Sequence, residues 1–122
     1  MIVTAYVIAG IVAIGIIYVG LSYLLAPEKT AAGFGLATIP TGTTAFFHIK
    51  GVRDIASGLV VGAAMLAGGP HVLGWILLAE AFIPVGDMLI ILRHKGSRAI
   101  AFSVHGATAA VMVVATLLLE LS

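Results

Sequence analysis

The chain has no cysteine among its 122 residues, which excludes disulfides, thiolate nucleophiles and cysteine-held zinc or iron–sulfur centres. Charge is nearly as scarce. Only 9% of residues are charged, where a soluble domain carries about 25%. Six Lys and Arg against five Asp and Glu leave a formal +1, too weak a field to hold nucleic acid. What fills the chain instead is apolar: 61% hydrophobic residues and a mean hydropathy of +1.23. A water-exposed globule is excluded, and a protein embedded in the lipid bilayer is expected.

A helix that crosses the hydrocarbon core takes about 20 mostly apolar residues. The chain divides into four such segments, about 2–25, 43–67, 71–92 and 98–119. The first carries no charge and ends at Ala26-Pro27. It has neither the basic start nor the small-residue cleavage site of a signal peptide, so it is expected to remain in the protein. The longest connection, Ala26 to Gly42, contains Gly33, Gly35, Pro40 and Gly42 and reads as an irregular loop. The other two connections are short, which makes consecutive helices antiparallel neighbours. The expected fold is therefore a single-domain, all-α integral membrane four-helix bundle, up-down-up-down. Lys29, Arg93, Lys95 and Arg98 gather on the first and third connections, while the termini and the Gly68-Gly69 turn carry no Lys or Arg. The positive-inside rule then predicts a multi-pass cell-membrane protein with both termini outside.

Of the eleven charged residues, five fall inside predicted spans: Lys50, Arg53, Asp54, Glu80 and Asp87. Each costs about 2.5–3.5 kcal/mol at a helix centre on insertion scales, so they call for partners or a purpose. At 1.5 Å per residue, all five and His105 lie roughly 8–20 Å from the cytoplasmic ends of their spans. Lys50, Arg53, Asp54 and Ser57 share about a third of a turn, with His48 on the opposite side. Glu80 and Asp87 share a face with Pro84 between them, and His105 shares one with Thr108, Ala109 and Met112. Pro84 also frees the Glu80 carbonyl and tends to kink its helix, which favours a pocket beside Glu80. Gly58 and Gly62, and Gly106 and Ala110, have the four-residue spacing that permits close helix approach. Helix 1, uncharged and bearing Gly10, Gly15 and Gly20, is the surface expected to meet a partner or a second copy, and a homodimer is one arrangement this allows.

One reading of the cluster is structural, with Lys50 and Arg53 neutralising Asp54, Glu80 and Asp87 to set helix register. The sharper reading is a polar pocket in an apolar bundle. There, three acids against two bases leave one excess negative charge when His105 is neutral. A protonated acid beside an ionised one and a histidine is the equipment of general acid–base chemistry, for which no cofactor is expected. Asp87 and His105 would exchange protons, Arg53 would hold developing negative charge, and Asp54 would orient Arg53. Glu80, Lys50, Ser57 and Pro84 would line the substrate. No metal site is expected, because no H-x-x-x-H or E-x-x-H pair is present. No G-x-S-x-G elbow supports a serine nucleophile, and Gly33-Phe34-Gly35 is too short for a phosphate loop. Tyr6, Tyr18, Tyr23 and Trp75 read as interface anchors or packing residues, and His71 and His94 as solvated side chains near span ends.

The stretches Gly51–Gly58 (GVRDIASG) and Ile83–Asp87 (IPVGD), followed by His105 in the last span, resemble the motifs of a family of small four-helix integral membrane proteins of unknown function from bacteria and filamentous fungi. The resemblance covers about the whole chain and implies that Arg53, Asp54, Asp87 and His105 are that family's polar positions. The layout is also similar to DoxX-like and anthrone-oxygenase-like membrane proteins, which implies quinones or other lipophilic ring compounds as ligands. Small multidrug transporters are similar in length but carry an acid in helix 1, and fluoride channels carry a glycine-rich, arginine-bearing first span; neither feature is present here. The expected function is binding of a lipophilic small molecule, with cofactor-free isomerisation, cyclisation or ring-opening hydrolysis as the chemistry. Proton-coupled solute transport and an accessory membrane subunit are the alternatives.

Overall fold

A computed structural model describes residues 1–39 and 42–122, and among these the chain is helical with no strand. Pro40 and Thr41, part of the connection expected to be irregular, lie outside the described residues. Helix α1 (Ile2–Leu25) stops at Ala26, whose φ of −143° and ψ of 66° are non-helical, as a following proline disfavours helical backbone in the residue before it. Pro27 then opens a short helix, α2 (Pro27–Ala32), at the position where its missing N–H costs nothing. The long connection is thus partly helical, a correction to the loop expected there. Thr30 Oγ1 donates to the Ser22 carbonyl at 3.0 Å and ties α2 to the end of α1.

Helix α3 (Thr44–Ala63) runs into a π-helical turn, Ala64–Gly68. Gly69 leaves helical geometry with φ +74° and ψ 172°, a conformation open to glycine at little cost. Beyond it lie α4 (Gly69–Glu80) and α5 (Phe82–Arg93), separated at Ala81, one turn ahead of Pro84. Ser97 Oγ accepts from the Ile100 N–H at 3.2 Å and caps α6 (Arg98–Ile100). A π segment (Ala101–Gly106) and α7 (Ala107–Glu120) complete the chain. Three helical stretches are long and apolar enough to cross a membrane: Ile2–Leu25, Thr44–Arg93 and Arg98–Glu120.

Packing explains where the small residues fall. Helix α1 packs chiefly on α3, α4 on α7, and α5 on the π segment 101–106. Ala5, Ala9 and Ala13 of α1 enter one core with Val61, Leu73, Leu77, Met112, Ala115 and Leu119. A Cβ on Gly20 would lie 2.6 Å from the Gly51 carbonyl oxygen, and one on Gly51 would lie 2.7 Å from that of Gly20. Gly58 is similarly pressed on Ala13 and Ile17. In hydrocarbon, where apolar burial drives little, such backbone approach is what holds helices together. The glycine-bearing face of helix 1, expected to receive a partner, is therefore in part covered by α3 of the same chain. Facing outward instead are large apolar side chains such as Val7, Ile14, Leu66 and Phe82.

Candidate functional site

Helical spacing turns short polar motifs into stripes, and the fold brings three of them to one place. Lys50, Asp54, Ser57 and Val61 descend one side of α3; Glu80, Pro84 and Asp87 follow one another at the α4–α5 junction; His105, Thr108 and Met112 do the same on the last helical stretch. All ten line a single cavity of about 510 Å³, closed on another side by Ile11, Val12, Gly15, Ile16, Val19 and Tyr23 of α1. Thr30, Gly33 and Phe34 bring α2 and its following turn to the same cavity. The walls differ along its length, with Lys50, Asp54, Asp87, His105 and Thr30 towards the 26–35 connection and Ile11, Val12, Val61, Val111 and Met112 further away.

Lys50 Nζ donates to Asp54 Oδ2 at 2.7 Å, an (i, i+4) pair in which the Asp54 side chain is 8% exposed. The ammonium also lies 4.5 Å from the Tyr23 ring centre and 5.3 Å from that of Phe34, a cation–π arrangement on two sides. Across the cavity, His105 Nε2 is 2.9 Å from the Phe34 carbonyl oxygen, and the two rings stand 4.5 Å apart. A carbonyl only accepts, so Nε2 carries a proton and donates it. That leaves Nδ1 facing Asp87 Oδ2 at 3.8 Å. Glu80 has no hydrogen-bond or ion-pair partner among the described residues. No group of three His, Asp and Glu among the described residues is placed to hold a metal ion.

Arg53 does not join this set. It is exposed beside His48, Ile49 and Val52 in a shallow depression elsewhere on α3. The cause is rotational: the seam at Gly51 and Gly58 sets which way α3 faces α1. Arg53 lies about 150° round from the middle of that seam, beyond the edge of the cavity stripe. Asp54 is accordingly partnered by Lys50 and not by Arg53, which corrects the expected oxyanion holder. His105 lies within the π segment 101–106, a local widening of the helix of a kind often found at functional positions.

Three contributors escaped the sequence reading: Tyr23, Thr30 and Phe34. Tyr23 is 2% exposed and lies beneath Lys50, so of the two roles expected for it, interface anchor or packing residue, it takes the second, as a wall of the cavity, whereas Tyr18 and Trp75 are exposed. Phe34 is placed by backbone pairing between two connections, where Ser97 N–H donates to the Gly35 carbonyl at 2.7 Å. Gly35 has φ +115°, and a Cβ there would lie 3.0 Å from Ile100 Cγ2. An aromatic residue flanked by Gly33 and Gly35 was the one available signal. At the other end of the molecule His71, expected to be a solvated side chain, has Nδ1 3.1 Å from Glu120 Oε2 while remaining exposed. His94 is exposed.

These features define a class: an all-helical protein with helices long and apolar enough to cross a membrane, built around one cavity that is polar at one end. The family model described as "Domain of unknown function (DUF4267)" matches residues 13–119, and the chain belongs to that family. The match spans every ionisable residue of the cavity. No curated protein and no solved structure matches the chain.

Proposed function

We propose that this protein is a four-span, up-down-up-down bundle in the cell membrane, and that it binds a lipophilic small molecule in the cavity between its helices. One domain holds all four spans, with the Lys29 and Arg93–Arg98 connections cytoplasmic and both termini outside. The observation that carries the binding reading is the gradient within one cavity, from ionisable groups at Lys50, Asp54, Asp87 and His105 to hydrocarbon walls at Ile11, Val61 and Met112. A cavity of about 510 Å³ is in the range that takes up a ligand of drug size, in roughly the 300–1,000 Å³ window. The ligand's polar group meets the ionisable side chains of the cavity, Glu80 among them, and its apolar body lies along α1 and α7.

A second reading is cofactor-free acid–base turnover of that ligand, by isomerisation, cyclisation or ring opening. The pinned His105 supports it. With Nε2–H committed to the Phe34 carbonyl, any proton that His105 gives or takes passes through Nδ1, which faces Asp87. Arg53 has no part in this scheme.

Native mass spectrometry of detergent-purified protein tests the binding reading. A bound lipophile is expected on the unmodified protein and not on Gly15→Phe. Gly15 lines the cavity and a Cβ there meets nothing within 4 Å, so a side chain can start from this position and its ring takes up space that the ligand would need. A bare unmodified protein, or equal occupancy in the variant, would overturn it. Once a ligand is identified, the acid–base reading requires the unmodified protein to convert it and Asp87→Asn and His105→Gln to bind without converting it.

A further inference from the structure

The charges of the cavity are unevenly committed, and this bears on the chemistry of the ligand's polar group. Among the described residues its one ammonium, Lys50, is held by Asp54 at 2.7 Å, and Arg53 stands outside. The proton on His105 Nε2 is spent on the Phe34 carbonyl, and its Nδ1 faces Asp87. An anionic head group would thus meet no uncommitted cation, and helix backbone N–H groups are spent within the helices. Glu80, by contrast, faces the cavity with no partner among the described residues. It lies seven residues from Asp87, about 10 Å along the axis, too far for one small group to engage both. A carboxyl at membrane depth calls for a donor or an opposite charge.

We propose that the ligand is an amphipathic organic amine, its protonated nitrogen on Glu80 and its hydrocarbon body against Ile16, Val61 and Met112. The proposal rests on the cavity being a ligand site, and it deepens that reading by choosing one head-group charge over the others. The Lys50–Asp54 pair then acts by repulsion and neutralisation together: it closes the far end to a second cation and keeps Asp54 from competing with Glu80 for the amine.

The test compares three ligands of one chain length, n-decylamine, n-decanol and n-decanoate, titrated into the full-length protein in uncharged maltoside micelles. Decylamine is expected to bind about tenfold or more tighter than the other two, as one charge-assisted hydrogen bond provides. Glu80→Gln is expected to reduce decylamine to the level of decanol and leave decanol unchanged, and Arg53→Ala to change neither. Decanol or decanoate binding as tightly as the amine, or an amine preference that survives Glu80→Gln, would overturn the proposal and leave the cavity as a ligand site. No saturable binding of any of the three would overturn both. Where Glu80→Gln does not fold, the order of the three ligands on the unmodified protein still overturns the proposal if decylamine is not the tightest.

Discussion

Near the chain termini the helices close on one another over Ala5, Ala9, Leu73, Leu77, Ala115 and Leu119, each 0% exposed, whereas near the 26–35 connection they surround a cavity of about 510 Å³. The two regions draw on the same apolar composition and differ in what separates the backbones. At the closed end alanines alternate with leucines, and Gly74 leaves room for the Glu120 side chain to lie against α4. At the hollow end Tyr23, Phe34, Lys50, Asp87 and His105 project inward from different elements, and their own bulk and polarity keep the walls apart. The glycine seam of α1 and α3 runs beside both and sets the rotation that decides which side chains reach the cavity. Closure is thus a matter of small residues in contact, and hollowness a matter of large and polar side chains brought in from several elements.

The comparison breaks most severely at the seam. Gly51→Val places a Cβ 2.7 Å from the Gly20 carbonyl oxygen, where only backbone movement relieves the clash. A loss of about 3 kcal/mol or more is expected in denaturant unfolding in mixed micelles. Gly62→Ala is the matched control, since a Cβ there meets nothing within 4 Å. It is expected to gain about 0.5–1 kcal/mol from helix propensity. Equal effects at the two glycines would show that the seam is not what organises the fold.

Next in size is the charge pair of the hollow end. Asp54→Ala leaves Lys50 without its carboxylate, and a fully buried pair broken in this way costs about 3–5 kcal/mol. The Lys50 side chain is 32% exposed, so screening reduces the expected loss to about 1–3 kcal/mol. Lys50→Met combined with Asp54→Leu is expected to recover most of it, and a double-mutant cycle reads the coupling. A double variant as unstable as the single one would mean that the carboxylate serves something other than Lys50.

The smallest effect belongs to the closed end. The Thr116 hydroxyl shares its one proton between the Gly74 carbonyl across on α4, at 3.1 Å, and the Met112 carbonyl of its own helix, at 3.0 Å. Thr116→Val keeps the shape and removes the donor, at an expected cost of about 0.6 kcal/mol. A loss above about 2 kcal/mol would place polar gluing, and not small-residue contact, at the root of closure there.

Much of the helical framework was legible because its signals are local. Pro27 closes α1 just ahead of it, Gly69 takes the positive φ that interrupts the Thr44–Arg93 stretch, and long apolar runs announce helices of membrane length. The spacing of Lys50, Asp54 and Ser57, of Glu80, Pro84 and Asp87, and of His105, Thr108 and Met112 showed which residues share a side of a helix. Arg53 was misplaced because a stripe has edges, and which edge is buried depends on a neighbouring helix. Phe34 and Tyr23 were missed because neither lies in a motif: one is placed by the Gly35–Ser97 backbone bond, the other by the packing of α1 on α3.

By itself, then, the sequence determined an all-helical chain with helices fit to cross a membrane and polar stripes on three of its segments, because hydropathy, proline and helical period act within a few residues. Only the tertiary structure decided that the stripes line one cavity, that Lys50 and not Arg53 partners Asp54, and that His105 meets Phe34 and Asp87. Those outcomes depend on the rotation of whole helices about their axes, and rotation is set by where Gly20, Gly51 and Gly58 allow two backbones to touch.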